Sequence, residues 1–453
     1  MPVKNRTGLT GGGDLGSGVI WKQILSFFFP VLLGSVFQQL YNTVDTVVVG
    51  RFVGKEALAA VGVCATPINL FVGFFTGLAA GATVYIAQQY GAGNKRELDH
   101  AIHTALFMGV VFSVMFTVLG YYFSGPILRL VNTEDEIFAD ALMYMRVYFC
   151  GMSAVVFFNI GSFIFQAMGN SRFPMIVLII CCVTNIVGDL VLVAVLGWGV
   201  FGAAVATVFS LAVSAVVVIT ALLRSGEMEF AFAKLSPRGS HLPTMLRLGI
   251  PTGIQSVLYS VSNLIVLSNI NTFGTNMTAA YTAYEKLDSI YWLVSNAFGI
   301  AITTFVGHNY GAEKFERAHK GVRTCLLMDL TATAAISAFS LVFGPRIMTI
   351  FTADAQVLEN CRQFIWLVVP YYFTFIIVEI IGGGMRGAGK TIVPMVFTAS
   401  GVCLLRMVWL LAVAPLNHTL GMVMFCYPLS WTVTSLMFLL YTRGGRRLTV
   451  DEA

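Results

Sequence analysis

Residues 174–196 read Pro174-Met-Ile-Val-Leu-Ile-Ile-Cys-Cys-Val-Thr-Asn185-Ile-Val-Gly-Asp189-Leu-Val-Leu-Val-Ala-Val-Leu196. A helix of roughly 20 apolar residues crosses a hydrocarbon core, and this stretch is that long with one charge in it, Asp189. An acid inside a span costs roughly 2.5–3.5 kcal/mol or more unless it faces a cavity or a partner. The stretch therefore indicates both the solvent of the protein and a place to look for function. Comparable stretches run near 24–50, 57–87, 100–124, 137–166, 201–223, 244–271, 278–306, 318–343, 357–384, 393–415 and 421–441, giving twelve spans. Several exceed the minimum length, so tilt or kinks are expected.

Composition agrees. The chain has 453 residues, 57% hydrophobic and 11% charged, where soluble domains carry about 25% charged residues. No room is left for a separate soluble domain, and the expected class is an all-α membrane protein. The polar, glycine-rich start is followed by no small-residue cleavage site, so no signal peptide is read. The eight cysteines show no C-x-x-C spacing, which suggests neither a disulfide framework nor a zinc site. Short basic loops stay on the cytoplasmic side. With the amino terminus inside, 19 Lys and Arg fall on that face and six on the other: Arg51, Lys55, Arg129, Arg146, Arg346 and Arg362. Both termini are expected in the cytoplasm. The formal charge of +5 calls for no nucleic-acid partner.

The longest polar interruption, Ser225 to Pro243, separates two stretches that overlay with a shift of about 220 residues. Pro30 matches Pro251, Gln89-Tyr90-Gly91-Ala92 matches Asn309-Tyr310-Gly311-Ala312, Ser124-Gly125-Pro126 matches Phe343-Gly344-Pro345, and Pro174-Met175 matches Pro394-Met395. Six crossings return the chain to its starting side, so the halves share one orientation and an axis along the membrane normal. The division read from sequence is a tail 1–23, an N-lobe 24–224, a linker 225–243, a C-lobe 244–442 and a tail 443–453.

Pro30 with Asp45, the Gln89-Tyr90-Gly91-Ala92-Gly93 segment with its repeat, and Met385-Arg386-Gly387-Ala388-Gly389-Lys390-Thr391 leading to Pro394-Met395 resemble the multidrug and toxic compound extrusion (MATE) family over nearly the whole chain. The resemblance implies twelve transmembrane helices in two pseudo-symmetric six-helix lobes around a V-shaped central cleft. It also implies alternating access and exchange of H⁺ or Na⁺ for small amphiphilic, often cationic substrates. No cofactor beyond that cation is implied, nor ATP; the expected form is a monomer in the cell membrane.

Asp45 and Asp189 are the most informative residues. Asn185, four residues before Asp189, shares its helix face, and Thr207 on the next span adds a hydroxyl. Hard cations take oxygen ligands, so the set suits Na⁺ or a proton. These four positions also match the amino-terminal-lobe ion site of part of the MATE family. The plainer reading has the acids hydrogen-bonding neighbouring helices. By the repeat, Asp189 corresponds to Trp409 and Asn185 to Leu405, so the site is one-sided. Gln255 stands where another branch of the family places an acid. Glu285, Lys286, Asp288, Glu379 and Arg406 are embedded in or close to the membrane, either as ion pairs that pack the second half or as substrate contacts. Pro30 is the expected hinge, since proline removes a helix hydrogen bond.

Two further patterns have other readings. Gly384-x-x-x-x-Gly389-Lys390-Thr391 matches the phosphate-binding loop G-x-x-x-x-G-K-[ST] but follows an apolar span and no buried strand. Gly73, Gly77 and Gly81 allow close helix approach, expected within the first lobe. Rival functions are a lipid-linked oligosaccharide flippase, which the scarcity of intramembrane cations disfavours, and an intramembrane enzyme, for which neither H-E-x-x-H nor G-x-S-x-G is present.

Overall fold

In the computed structural model, residues 13–228 and 240–443 are described. Most of the amino-terminal tail, the middle of the linker and the carboxy-terminal tail beyond Arg443 lie outside the described residues. The described chain is helical with no strand. In order, the helices are α1 Ile20–Phe52, α2 Lys55–Gly91, α3 Lys95–Leu130, α4 Asp135–Cys150, α5 Met152–Ala167, α6 Arg172–Asp189 and α7 Gly199–Arg224. The second half has α8 His241–Asn271, α9 Thr275–Gly311, α10 Phe315–Met348, α11 Ala355–Val368, α12 Tyr372–Gly387, α13 Ile392–Phe397, α14 Leu405–Val408, α15 Leu420–Met424 and α16 Cys426–Arg443. Eleven of these segments, with closely consecutive pieces joined, are long and apolar enough to cross a membrane, and α4 with α5, bent by 48° at Gly151, supplies a twelfth. The twelve spans read from the sequence are thereby accounted for.

Local chemistry sets the ends. Asn94 Oδ1 accepts the Glu97 N–H at 3.3 Å, and Asp354 Oδ1 accepts those of Gln356 and Val357 at 2.8 and 3.0 Å, satisfying orphan donors of the first turn. The internal repeat reappears in backbone torsions. Left-handed residues stand in matching places at Gly54 and Gly274, Gly93 and Glu313, and Gly169 and Gly389. Glu313 holds at φ 59° what glycine holds elsewhere at lower cost.

Gly389 also shows what the phosphate-loop pattern is. At φ 84° it ends α12: its N–H bonds to Arg386 O at 2.8 Å, and the Lys390 N–H bonds to Met385 O at 2.9 Å. This is a helix stop between two apolar helices, with no strand before it. Lys390→Ala is expected to leave the helix stop and the folded yield unchanged, with no ATP binding before or after the substitution; saturable ATP binding that disappears with this substitution would overturn the assignment.

Packing divides the chain at other points than the sequence halves do. The first unit contains the described residues up to Leu15 and Phe29–Gly253; the second contains Gly16–Phe28 and the described residues from Ile254 onward. The divisions fall inside α1, beside Pro30, and inside α8, just after Pro251. In the second unit, Arg317 donates to Gly18 O and Ser17 O at 2.9 Å and to Gln23 Oε1 at 2.7 Å, and Phe28 stacks on Phe298 with ring centres 4.0 Å apart. In the first unit, α2 meets the start of α8 through glycines. A Cβ on Gly77 would lie 2.6 Å from Gly253 Cα, and one on Gly81 would lie 2.2 Å from Gly249 N. The small-residue stripe thus serves a helix that the sequence assigns to the other half.

Candidate functional site

The first unit gathers Asp45 from α1, Asn185 and Asp189 from α6, and Thr207 from α7. All four are buried, Asn185 and Asp189 completely. Asn185 Nδ2 reaches Thr207 Oγ1 at 3.5 Å, and Asp45 lies within electrostatic reach of Asp189. Immediately after Asp189 the helix widens into a π-helical segment, Leu190–Val195. Such widenings are frequent at functional sites.

The acceptors of this group lack donors. Asp45 Oδ1, Asn185 Oδ1 and both carboxylate oxygens of Asp189 are buried without a hydrogen-bond partner among the described residues. Leaving a buried polar group unsatisfied costs about 1–3 kcal/mol, and more for a charge, so four such oxygens in one unit call for a positive guest. The donor set is all oxygen, which suits a hard monovalent cation or a proton. Among the described residues no group of three or more His, Cys, Asp and Glu side chains is placed to hold a metal ion. In the second half, the counterpart of Asp189, Trp409, spends its indole N–H on Met422 O at 2.8 Å. It also opens a π-helical segment, Trp409–Val413, so the backbone feature repeats where the carboxylate does not.

In the second unit the charged residues are arranged differently from mutual pairs. Asp288 Oδ1 accepts from Tyr284 at 3.1 Å and from Tyr372, while its Oδ2 accepts from Trp292 Nε1 at 2.7 Å. Glu379 pairs at 3.0 Å with Arg386. Arg406 is 2% exposed; it donates to Asn263 Oδ1 at 3.1 Å and lies 4.4 Å from the centre of the Tyr427 ring. Glu285 and Lys286 are exposed, and Gln255 is half-buried on α8.

One acid escaped the sequence reading. Asp329 of α10 is fully buried, with Ser295 Oγ and Thr333 Oγ1 donating to it at 3.4 Å. Its signal was available, a lone acid in Cys325-Leu-Leu-Met-Asp329-Leu-Thr. Pro30 is buried, and α1 continues through it as one helix.

Comparison with known proteins follows the same division. The MatE family model matches residues 30–191 and again 251–410, well over half of the chain and once in each half. The chain is 28% identical over 390 residues to the probable multidrug resistance protein YoeA of Bacillus subtilis (strain 168), covering 84% of each. It is 26% identical over 383 residues to the probable multidrug resistance protein NorM of Thermotoga maritima, covering 84% of this chain and 82% of that one. The fold is shared with an outward-facing multidrug resistance MATE family transporter of the MOP superfamily, at TM-score 0.88 and 22% identity over 98% of both chains.

Proposed function

The chain belongs to the MatE family, and on that premise we propose that it exports amphiphilic, often cationic organic compounds by antiport with H⁺ or Na⁺ through alternating access. Its multidrug-resistance relatives support a multidrug efflux transporter. The observation that carries the coupling site is the set of buried, donor-less oxygens on Asp45, Asn185 and Asp189. A cation entering there neutralises charge that the membrane interior disfavours and occupies acceptors that have no other partner. Binding energy that differs between two conformations is what shifts their populations; here α1, α6 and α7 are the helices that would repack around the guest. Asn185 and Thr207 complete the shell as neutral ligands. No cofactor takes part in this scheme.

Efflux of a fluorescent organic cation, with the Na⁺ and pH gradients collapsed separately, tests the reading. Collapse of one gradient is expected to stop efflux and so name the coupling ion; export that survives the loss of both gradients would overturn the proposal.

Two finer points belong to the same reading. Pro30 leaves one carbonyl of α1 without its helical N–H, so α1 is soft there, beside the place where its packing changes unit. Pro30→Ala at matched expression is expected to reduce transport at least about fivefold with the protein still folded; full activity would remove the hinge. Both termini face the cytoplasm of a multi-pass cell-membrane monomer. An impermeant thiol reagent on intact cells is therefore expected to label Glu134→Cys and Asp354→Cys but not Lys95→Cys or Lys314→Cys. Labelling of Lys95→Cys would reverse the orientation.

A further inference from the structure

Arg406 is a buried cation with no carboxylate at ion-pair distance. Among the described residues no carboxylate forms an ion pair with it, and its Nε has no hydrogen-bond partner. Of the carboxylates of the region, Asp288 lies within electrostatic reach of Arg406 but gives its oxygens to Tyr284, Tyr372 and Trp292, Glu379 is paired with Arg386, and Glu285 is exposed. What remains for Arg406 is one amide oxygen, Asn263 Oδ1 at 3.1 Å, and the face of Tyr427 at 4.4 Å. A cation–π contact gives about 0.5–2 kcal/mol, whereas a buried donor left without a hydrogen bond costs about 1–3 kcal/mol, more for a charged group. The field of Asp288 and these neutral contacts leave the guanidinium incompletely hydrogen-bonded, its Nε among the unsatisfied donors.

The surroundings fit a particular guest. The guanidinium fork presents its N–H groups in the geometry that a carboxylate accepts. Asn263 is exposed and Tyr427 half-buried, so the group can be approached past Asn263. Trp431, whose ring lies 5.2 Å from that of Tyr427, is buried with its indole N–H unpartnered among the described residues. The rings of Tyr427 and Trp431 suit contact with a flat hydrophobic body. The orphan atoms of the first unit's site are acceptors, while those here are donors, so the two sites call for guests of opposite sign.

We propose that Arg406, Asn263 and Tyr427 form a binding site for the carboxylate of an exported aromatic amphiphile. This rests on the efflux reading and narrows its substrate class: molecules that carry an acidic group are recognised through the second unit. Arg406 is then a specificity-determining residue, and Asn263 orients it.

The test is equilibrium binding to the purified full-length protein in nanodiscs of neutral phospholipid, followed by fluorescence polarisation. Fluorescein, which carries a free carboxylate, is compared with rhodamine 123, which has the same ring system, a positive charge and an esterified carboxyl. Wild type is expected to bind fluorescein, and Arg406→Gln to weaken it tenfold or more, with rhodamine 123 changed by less than twofold. Asn263→Asp covers the event that Arg406→Gln fails to fold. It places a counter-charge at the existing 3.1 Å contact, so it is expected to keep or raise thermal stability while weakening fluorescein tenfold or more. Undiminished fluorescein binding to Asn263→Asp would overturn the site, as would a wild type that rejects fluorescein. Rejection of fluorescein together with binding of rhodamine 123 would sink this inference and leave the efflux reading intact, because the latter is judged by gradient-driven transport.

Discussion

Asp45→Asn and Asp189→Asn are each expected to abolish ion-coupled efflux while the protein remains folded in the membrane. The substitution keeps the size and one oxygen and removes the charge, so it separates cation binding from packing. Removing one partner from a buried charge pair costs about 3 kcal/mol or more, and each 1.4 kcal/mol is a factor of ten in affinity. Cation affinity is therefore expected to fall on the order of 100-fold. Thermal stability in the absence of the coupling ion should hold or rise, because three of the atoms in question are carboxylate oxygens, buried and without donors in the resting arrangement. The two acids lie within reach of one another, so any titration of transport reports the pair and not either residue. Asn185→Ala and Thr207→Ala withdraw neutral ligands and should weaken ion dependence more mildly, by about tenfold. The acids of the second unit are the control. If Glu285→Gln, Glu379→Gln or Asp329→Asn removed ion coupling while Asp45→Asn and Asp189→Asn transported normally, the coupling site would belong to the second unit.

Gly81→Val is expected to be the most damaging single change outside that site. A Cβ at Gly81 would stand 2.2 Å from Gly249 N, 2.4 Å from Gly249 Cα and 2.7 Å from Leu248 C. Ordinary carbon contacts begin near 3.5 Å, and the obstructing atoms are backbone, so no rotamer change relieves them. α2 and α8 would have to separate, forfeiting the close approach that gives membrane helices their packing energy. Overpacking typically costs about 1–3 kcal/mol and occasionally more, and a β-branched side chain against backbone belongs at the upper end. The measurement is the yield of monodisperse protein and its unfolding temperature in detergent. Gly62→Val on the same helix, where a Cβ would meet nothing within 4 Å, controls for the general effect of a valine. Equal stability of the two variants would show that the contact between α2 and α8 contributes little.

The glycine stripe illustrates how far sequence reasoning reaches. Its spacing announced a close helix contact, but the partner is the start of α8, which lies beyond the linker. The second unit gives the same lesson with charges. Glu285, Asp288, Glu379 and Arg406 are conspicuous in an apolar chain, yet only the fold pairs Glu379 with Arg386, surrounds Asp288 with aromatic donors, and sets Arg406 beside Asn263, 143 residues away. Asp329 was as visible as Asp45 and was passed over because no neighbour in the sequence suggested a ligand set. Asn185 and Asp189 were legible as one face because four residues on a helix return to the same side.

What the sequence determined by itself is the number and class of the spans, the two-fold repeat and the acids that stand out inside the spans. The physical reason is that transfer into lipid is charged to each segment of roughly 20 residues separately, so it is written in local composition, where a buried acid stands out. The tertiary structure alone decided which helices share a packing unit, which glycines meet, and which charges are left without partners. Lipid solvates every apolar face alike, so helices choose neighbours by shape and by a few polar contacts, and those depend on faces brought together from distant parts of the chain.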